Sequence, residues 1–279
     1  MMATAPHRSD ALRSARSTLR REPARDGLRA MAATGLVARG LVYGVVGVLA
    51  LKVAIGAGGK TTSQSGAMQT IAGQPFGKAL LIALAIGLAA YAIWRVADAV
   101  AGARPDDDGA LKRRVSAAGS AIAYAALCVT AVKILAGAHA SSGSPRPAAA
   151  GVLAWPAGPV LVGIAGLVVI GVGAYQGYKG ISRSFLEDSR TERMGQGTKT
   201  GFTALGVAGH VARGVIFVLV GIGLISAALD YSPKNAVGLD GALQRLAHAS
   251  AGPILLGFVA LGFIAFALYS IADARYHRV

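Results

Sequence analysis

The amino-acid sequence predicts an all-α polytopic membrane protein of six transmembrane helices, arranged as three parallel two-helix repeats. Three observations predict this fold: the composition, six long apolar segments, and the similarity of the chain to itself. Of the 279 residues, 54% are hydrophobic and 15% are charged, and the mean hydropathy is +0.54. Such a chain is too apolar for an ordinary soluble protein or a disordered one. A disulfide-built secreted domain is disfavoured because Cys128 is the only cysteine.

Six segments have the roughly 20 apolar residues that a bilayer core requires. They are Leu36–Gly56, Gly77–Ala97, Val115–Gly137, Val152–Tyr175, Gly206–Leu229 and Gly252–Ala272. A soluble helical bundle would need polar faces at helical spacing, but stretches such as 80–92 are apolar on every side. The first segment follows a long polar tail and has internal relatives, so we interpret it as part of the fold and not as a cleaved signal peptide.

The basic residues predict the orientation of the spans. The chain has 28 Lys and Arg against 13 Asp and Glu, a formal net charge of +15. Assigned to alternating sides, 21 basic residues fall on the side of the termini and 7 on the other. The positive-inside rule then predicts that both termini are cytoplasmic.

The first and last thirds of the chain match each other almost collinearly. Ala38-Arg39-Gly40 corresponds to Ala212-Arg213-Gly214, Tyr43 to Phe217, Gly87 to Gly262, and Asp98 to Asp273. The middle third is a weaker copy, with Tyr124 in the place of Tyr43 and Pro156 in that of Pro75. Because each repeat crosses the membrane twice, all three enter from the same side, and we expect a pseudo-threefold bundle.

These matches divide the chain into repeats and connections. We assign a basic tail (1–34), repeat 1 (35–100), a charged cytoplasmic loop (101–114), repeat 2 (115–185), a second cytoplasmic loop (186–205), repeat 3 (206–275) and a C-terminal end (276–279).

Small residues recur seven positions apart on the first helix of each repeat. The pairs are Gly40 with Gly47, Gly214 with Gly221, and Ala121 with Cys128. Small side chains let helices approach closely in lipid, where packing drives association. We expect a close-packed seam among the three first helices. The alternative is that glycine is simply frequent in this chain, which has 38.

The segments Ala38–Gly44, Gly66–Gly77, Tyr91–Arg95 and Tyr175–Phe185 together resemble the bacterial membrane proteins catalogued as domain of unknown function 1206. The resemblance covers about residues 35–276. It implies a bacterial origin, an inner-membrane location and a six-helix fold, and it brings no catalytic residues. The middle repeat departs from the pattern, with Ser120 in the place of Arg39 and Arg213.

Matched charges stand near the cytoplasmic helix ends. Arg39 and Arg213 are placed at the starts of the first and fifth spans, and Asp98 and Asp273 at the ends of the second and sixth. One hypothesis is that Arg39 pairs with Asp98, and Arg213 with Asp273, which would lock each hairpin. The alternative is that these charges only anchor the helices at the interface.

No metal, cofactor or catalytic constellation is predicted. The five histidines lack ligand spacing. Asp106–Asp108 is interpreted as a solvated acidic loop, and the alternative is a contact with a divalent ion. The spans lack ionisable residues at their expected mid-depth, which disfavours coupled transport. We find no nucleophile and base for an enzyme.

Two further segments are amphipathic. Residues 66–72 and 241–247 are predicted to form short matched helices at the outer interface, serving as packing elements or as a partner-binding lid. The tail has Leu12, Ala15 and Leu19 on one helical face, so it is either a surface helix that binds anionic lipid or a disordered basic tail. Nucleic-acid binding is not expected, because interleaved aromatic residues are missing.

Taken together, these features favour a non-enzymatic integral membrane protein that associates with other membrane proteins or envelope components. The alternative is a small channel or facilitator for an uncharged or small solute, which would require a continuous path along the pseudo-threefold axis.

Overall fold

The computed structural model describes residues 8–101, 110–138 and 145–277, without the side chains of 8–26, 28, 29, 101, 112 and 113. Over these residues the protein is helical, as predicted, and contains nine α-helices. They are α1 (Arg8–Ala54), α2 (Gln64–Ala72), α3 (Gly77–Ala101), α4 (Ala110–Leu135), α5 (Arg146–Leu153), α6 (Gly158–Ile181), α7 (Gln196–Leu229), α8 (Leu239–Ala247) and α9 (Gly252–Tyr276). Short 3₁₀ helices cover Ser184–Asp188, Thr191–Arg193 and Pro233–Asn235.

Six of these helices are long and apolar enough to cross a membrane, which confirms the predicted number of spans. The candidate spans are Ala30–Ala54, Gly77–Val100, Arg114–Leu135, Gly158–Ile181, Gln196–Leu229 and Gly252–Tyr276. Three predicted starts are wrong. The first span begins at Ala30, six residues before Leu36. The fourth span begins at Gly158 because the chain turns at Trp155 and Pro156, and the fifth helix begins ten residues earlier than Gly206.

A short helix precedes the second span of every repeat. Two of them, α2 and α8, were predicted, and the third, α5, was not. Met68 of α2 and Leu243 of α8 are completely buried, so these helices pack into the core. Ser63 caps α2 by accepting a hydrogen bond from the backbone N–H of Gly66. Thr61, just before α2, donates to the carbonyl oxygen of Asp240 in α8, which joins the segments before the second spans of repeats 1 and 3.

The six long helices form an arc in the order α4, α3, α1, α9, α7, α6. Each first helix packs most extensively against the second helix of another repeat: α1 against α9, α4 against α3, and α7 against α6. We call these three contacts the seams. The helices of repeat 2, α4 and α6, lie at the two ends of the arc and do not pack along each other. The arc therefore stays open where a closed threefold ring would join them.

The central packing unit is α1 with α7 and α9. Its buried residues include Val46 of α1, Ile216 of α7, and Ala260 and Phe266 of α9. Phe185, in the first 3₁₀ helix, is also fully buried, which draws the connection between α6 and α7 onto the bundle.

Candidate functional site: a buried cationic and aromatic centre

The three seams share one register, and small residues create it. A Cβ atom at Gly40 would lie 2.9 Å from the carbonyl oxygen of Ala267, and one at Gly214 would lie 2.8 Å from that of Gly173. Real Cβ atoms do not approach so closely, so both positions require glycine in this packing. The small residues predicted to form a seam therefore do so, but the expected partner was wrong. The first helices do not form these seams with each other, because each packs most extensively against the second helix of a neighbouring repeat.

Two helical turns further along the first helices, a small residue again faces a backbone carbonyl oxygen in every seam. In the seam of α3 and α4 this residue is Cys128 and not glycine. Gly47 faces the carbonyl oxygen of Ala260, Gly221 that of Gly166, and Cys128 Sγ lies 3.5 Å from that of Ala85. Ala85 and Gly166 each come ten residues after Pro75 and Pro156, and Ala260 comes two before Gly262 as Ala85 does before Gly87. The contacts are thus equivalent, and Cys128 occupies the small-residue position of its seam.

Arg39 lies in the seam between α1 and α9. Its Nε donates a hydrogen bond to Ser270 Oγ at 3.2 Å, and its guanidinium carbon is 4.9 Å from the ring centroid of Phe266. The arginine of repeat 1 thus binds the last helix of repeat 3. The predicted ion pair between Arg39 and Asp98 does not form.

Arg213 lies in the seam between α7 and α6, midway along the 34-residue helix α7. Its guanidinium carbon is 4.5 Å from the ring centroid of Phe266, 5.3 Å from that of Tyr43 and 5.6 Å from that of Phe217. In the amide orientation that satisfies both groups, the oxygen of Gln176 accepts hydrogen bonds from Nη1 at 3.0 Å and Nη2 at 3.2 Å. The Nε atom is buried without a partner.

The environment of Arg213 corrects two predictions. It was expected at the start of a span, and it lies instead in the middle of α7 because that helix extends back to Gln196. It was also expected to pair with Asp273. Asp273 instead contacts Ser189 and His277, and within the described part of the chain no ion pair joins Arg213 to a carboxylate.

The seam between α3 and α4 carries its arginine on the other helix. Arg95 donates to Tyr91 Oη from Nε at 3.2 Å and from Nη2 at 2.9 Å, and Nη1 contacts Asp98 at 3.3 Å. Its guanidinium carbon lies 4.5 Å from the centroid of a Trp94 ring. Arg95 corresponds to Gln176 and Ser270 in the second helices, whereas Ser120 takes the arginine position of the first helix. Each seam therefore holds one of these three arginines.

Aromatic residues accompany these cations at matched positions. Tyr43 packs on Phe266 with centroids 5.0 Å apart, and Tyr124 packs on Tyr91 at 4.4 Å. Phe266 and Tyr91 are equivalent, since each lies four residues after the matched Gly262 and Gly87. Ring faces stabilise guanidinium groups in an apolar environment. Sequence reasoning identified Tyr43 and Tyr124 but missed Phe266, because phenylalanine in an apolar span has no distinguishing signal.

Asp273 holds the connection between α6 and α7 to the end of α9. Ser189 Oγ donates to its Oδ1 at 2.6 Å, and His277 Nδ1 lies 3.1 Å from its Oδ2. Asp273 is 2% exposed and Ser189 is fully buried. The backbone adds a hydrogen bond from Arg190 N–H to the Tyr276 carbonyl, at 2.7 Å. These contacts fix Phe185, whose ring stacks on buried His210 with centroids 5.0 Å apart.

The acidic loop 106–108, His7 and His139 lie outside the described residues. Among those described, no three His, Cys, Asp or Glu side chains come together in a metal-binding group. What the centre offers chemically is positive charge held among aromatic rings within an apolar bundle.

Comparison with known proteins decides the family. The profile of the family described as Domain of Unknown Function (DUF1206) matches the chain three times, over residues 34–102, 115–183 and 208–277. The chain belongs to the DUF1206 family. An uncharacterized protein of Bacillus subtilis (strain 168), YxxB, is 34% identical over 251 residues, which cover 88% of this chain and 90% of the relative. No solved structure matches the chain.

The threefold match confirms the resemblance seen in the sequence and the presence of three DUF1206 repeats. The second match includes both Ser120 and Gln176, so the repeat that lacks the first-helix arginine is still a member of the DUF1206 family. The relative named above is uncharacterized, as the family is, so the role of the cationic centre must be argued from its geometry.

Proposed function

We propose that this protein is a non-enzymatic component of the bacterial inner membrane that acts by lateral association with other membrane proteins or envelope components. The observation that carries the proposal is the open arc. In α4 and α6, 17% and 22% of the residues in the most apolar stretch are buried, against 39–50% in the other four spans. Two spanning helices therefore keep most of their surface available for a partner.

The chemistry of these two helices supports association. Helices associate in lipid through small residues that let backbones approach closely. On α4, Gly119, Ala123 and Ala126 are exposed at helical spacing, and on α6 Gly171 has an exposed face with no atom within 4 Å of a Cβ position. Comparable small residues in the seams, such as Gly40 and Gly214, are already packed against the backbone of a neighbouring helix. The same type of surface is thus used inside the molecule and left open at its two ends.

The proposed orientation places both termini in the cytoplasm, and the basic tail beside anionic headgroups there. Each basic residue near such a surface contributes about 1 kcal/mol of binding. Helix α1 begins at Arg8, so the backbone of the tail continues the first span as one helix. A channel along the pseudo-threefold axis is not favoured, since the rings of Tyr43, Phe263 and Phe266 pack together in the central unit.

Site-specific photo-crosslinking in native membranes tests the proposal. A photoreactive residue in place of Ile122 of α4 or Leu167 of α6 should give discrete crosslinked products. The matched control is Phe258 of α9, which is 71% exposed where Ile122 is 72% exposed, but lies on a helix whose other face is well buried. Products at Ile122 and Leu167 with few at Phe258 are expected. Equal yields at all three positions, or none, would contradict the proposal.

A further inference from the structure

We propose that the cavity beside Arg213 binds the anionic head group of an amphiphile, a carboxylate or phosphate carried on an apolar chain. This inference is independent of the proposed association of α4 and α6. The cavity has a volume of about 380 Å³ and is lined by α1, α9, α7 and α6, four consecutive helices of the arc. Its size falls in the range of small-molecule sites, roughly 300–1,000 Å³.

The cavity exists because one aromatic ring is missing. In two seams the second helix places a ring against the first helix: Tyr91 against Tyr124, and Phe266 against Tyr43. The equivalent position of α6 is Val172, sixteen residues after Pro156 as Tyr91 is after Pro75. A valine fills much less volume than a phenyl or phenol ring. Val172, Phe217 and Arg213 accordingly line an open space at the place that Phe266 and Tyr91 fill in the other two seams.

The charge in this cavity has no counterion within the described protein. Gln176 satisfies two guanidinium hydrogens as a neutral acceptor, and Nε has none. Aromatic faces reduce the cost of burying the cation but do not neutralise it. An anion would supply that charge through charge-assisted hydrogen bonds, for which a guanidinium is suited. Most of the remaining lining is aliphatic, including Val169, Val220 and Leu224, and this favours an apolar chain on the anion.

The starts of the three short helices lie at the same cavity. Those of α2 and α5 have no acidic residue in the first turn and add positive potential there, whereas Asp240 offsets it in the first turn of α8. Gln64 begins α2, Pro145 is the N-cap of α5 and Gly238 is the N-cap of α8, and all three line it. Neither α5 nor α8 has a side-chain hydrogen bond at its cap. Helix N-termini carry partial positive charge. Together with Arg213, this makes the cavity electropositive at more than one point.

Binding of labelled dodecanoate to the full-length protein in phosphatidylcholine nanodiscs tests the site. Unlabelled dodecanoate should displace the label about tenfold more effectively than dodecanol, which has the same chain and no charge. Dodecyl phosphate, compared with dodecanoate, assigns the preferred head group. Acetate and inorganic phosphate alone should compete poorly, since they lack the chain. Equal competition by dodecanol and both anions would overturn the proposal.

Two variants and one control locate the binding. Val172→Phe restores the ring of the other seams and should weaken dodecanoate binding by about tenfold or more while the charge remains. Arg213→Gln should remove the preference for dodecanoate over dodecanol. Val168→Phe adds the same ring one turn away at a position that is 60% exposed and outside the cavity, and should leave binding unchanged. If Arg213→Gln does not fold, Val172→Phe still decides, because unaltered binding in that variant excludes this cavity.

Discussion

At the scale of single residues, equivalent positions in the repeats have different environments, and their energetic roles should differ accordingly. Asp98 and Asp273 occupy the same place in repeats 1 and 3. The Asp98 side chain is 23% exposed and contacts Arg95 of its own helix. Asp273 is 2% exposed and binds Ser189 and His277. The sequence match alone predicts similar roles, and the difference arises from the connection that folds onto α9 only.

This difference gives a matched pair of substitutions. Asp273→Ala should lower the free energy of unfolding by about 2–3 kcal/mol, because it leaves the buried Ser189 hydroxyl without its acceptor. Asp98→Ala should lower it by less than about 1 kcal/mol, as for a partly exposed ion pair. Circular dichroism during denaturant titration in mixed micelles measures both. Losses of equal size would show that the buried contacts of Asp273 add nothing.

The residue-scale pairing hypotheses failed for a physical reason. Arg39 and Asp98 were expected to meet because the two ends of a hairpin are close along the chain. Helix packing in lipid depends instead on which surfaces permit close approach, and Gly40 fits the backbone of α9 at Ala267. The arginine next to Gly40 therefore reaches Ser270. The recurrence of Gly40 and Gly47 could be found in the sequence, but the identity of the facing helix could not.

At the scale of helices, each seam carries one of the three arginines, on the first helix in two seams and on the second helix in the third. The seam of α3 and α4 has arginine on the second helix and serine on the first, at Arg95 and Ser120, and the seam of α1 and α9 has the reverse, at Arg39 and Ser270. Asp273 follows Ser270 by three residues, just as Asp98 follows Arg95. The α1 and α9 seam thus already contains an acid at the spacing that Arg95 uses.

An exchange of the arginine between the two helices of this seam can be built. Arg39→Ser alone should destabilise the protein by about 1–2 kcal/mol, through loss of its contacts with Ser270 and the Phe266 ring. Ser270→Arg alone should also destabilise it, because two guanidinium groups would share one seam. The double variant should recover at least about half of the summed loss, and a double-mutant cycle in the same unfolding assay measures this. Strictly additive losses would mean that the two positions do not form a unit.

Prediction at the helix scale was most accurate where the repeat signal was strong. Matched segments before the second spans indicated α2 and α8, whose Gly-Ala pairs at 66–67 and 241–242 coincide. Helix α5 lacks that pair and begins with Arg146 and Pro147, so the similarity between the repeats did not predict it. The cavity beside Val172 could not be predicted from the sequence either. A valine in an apolar span has no distinguishing signal unless it is compared with Tyr91 and Phe266 at the equivalent positions.

At the scale of the whole molecule, charge and contacts agree on two distinct ends. Ser189, in the connection between α6 and α7, forms an antiparallel backbone β-bridge with His277, directly after α9. The segment before α2 bonds to α8 at the opposite end. The alternation of spans along the sequence assigns 21 of the 28 Lys and Arg to the side of the termini. The number of spans and the repeat order could be predicted from the sequence, whereas the open arc could not, because it depends on α4 and α6 failing to pack.

Orientation of these two ends in the membrane is a prediction that single cysteines can test. The background is Cys128→Ala, which removes the only native thiol. Lys60→Cys lies in the exposed segment before α2, Lys234→Cys in the exposed segment before α8, and Arg193→Cys in the exposed connection between α6 and α7. Because the positive-inside rule places the basic end in the cytoplasm, a membrane-impermeant maleimide should label Lys60→Cys and Lys234→Cys in intact spheroplasts. It should label Arg193→Cys only after lysis. The reverse pattern would place the termini outside, and it would then be the 7 basic residues of the other end, not the 21, that face the cytoplasm.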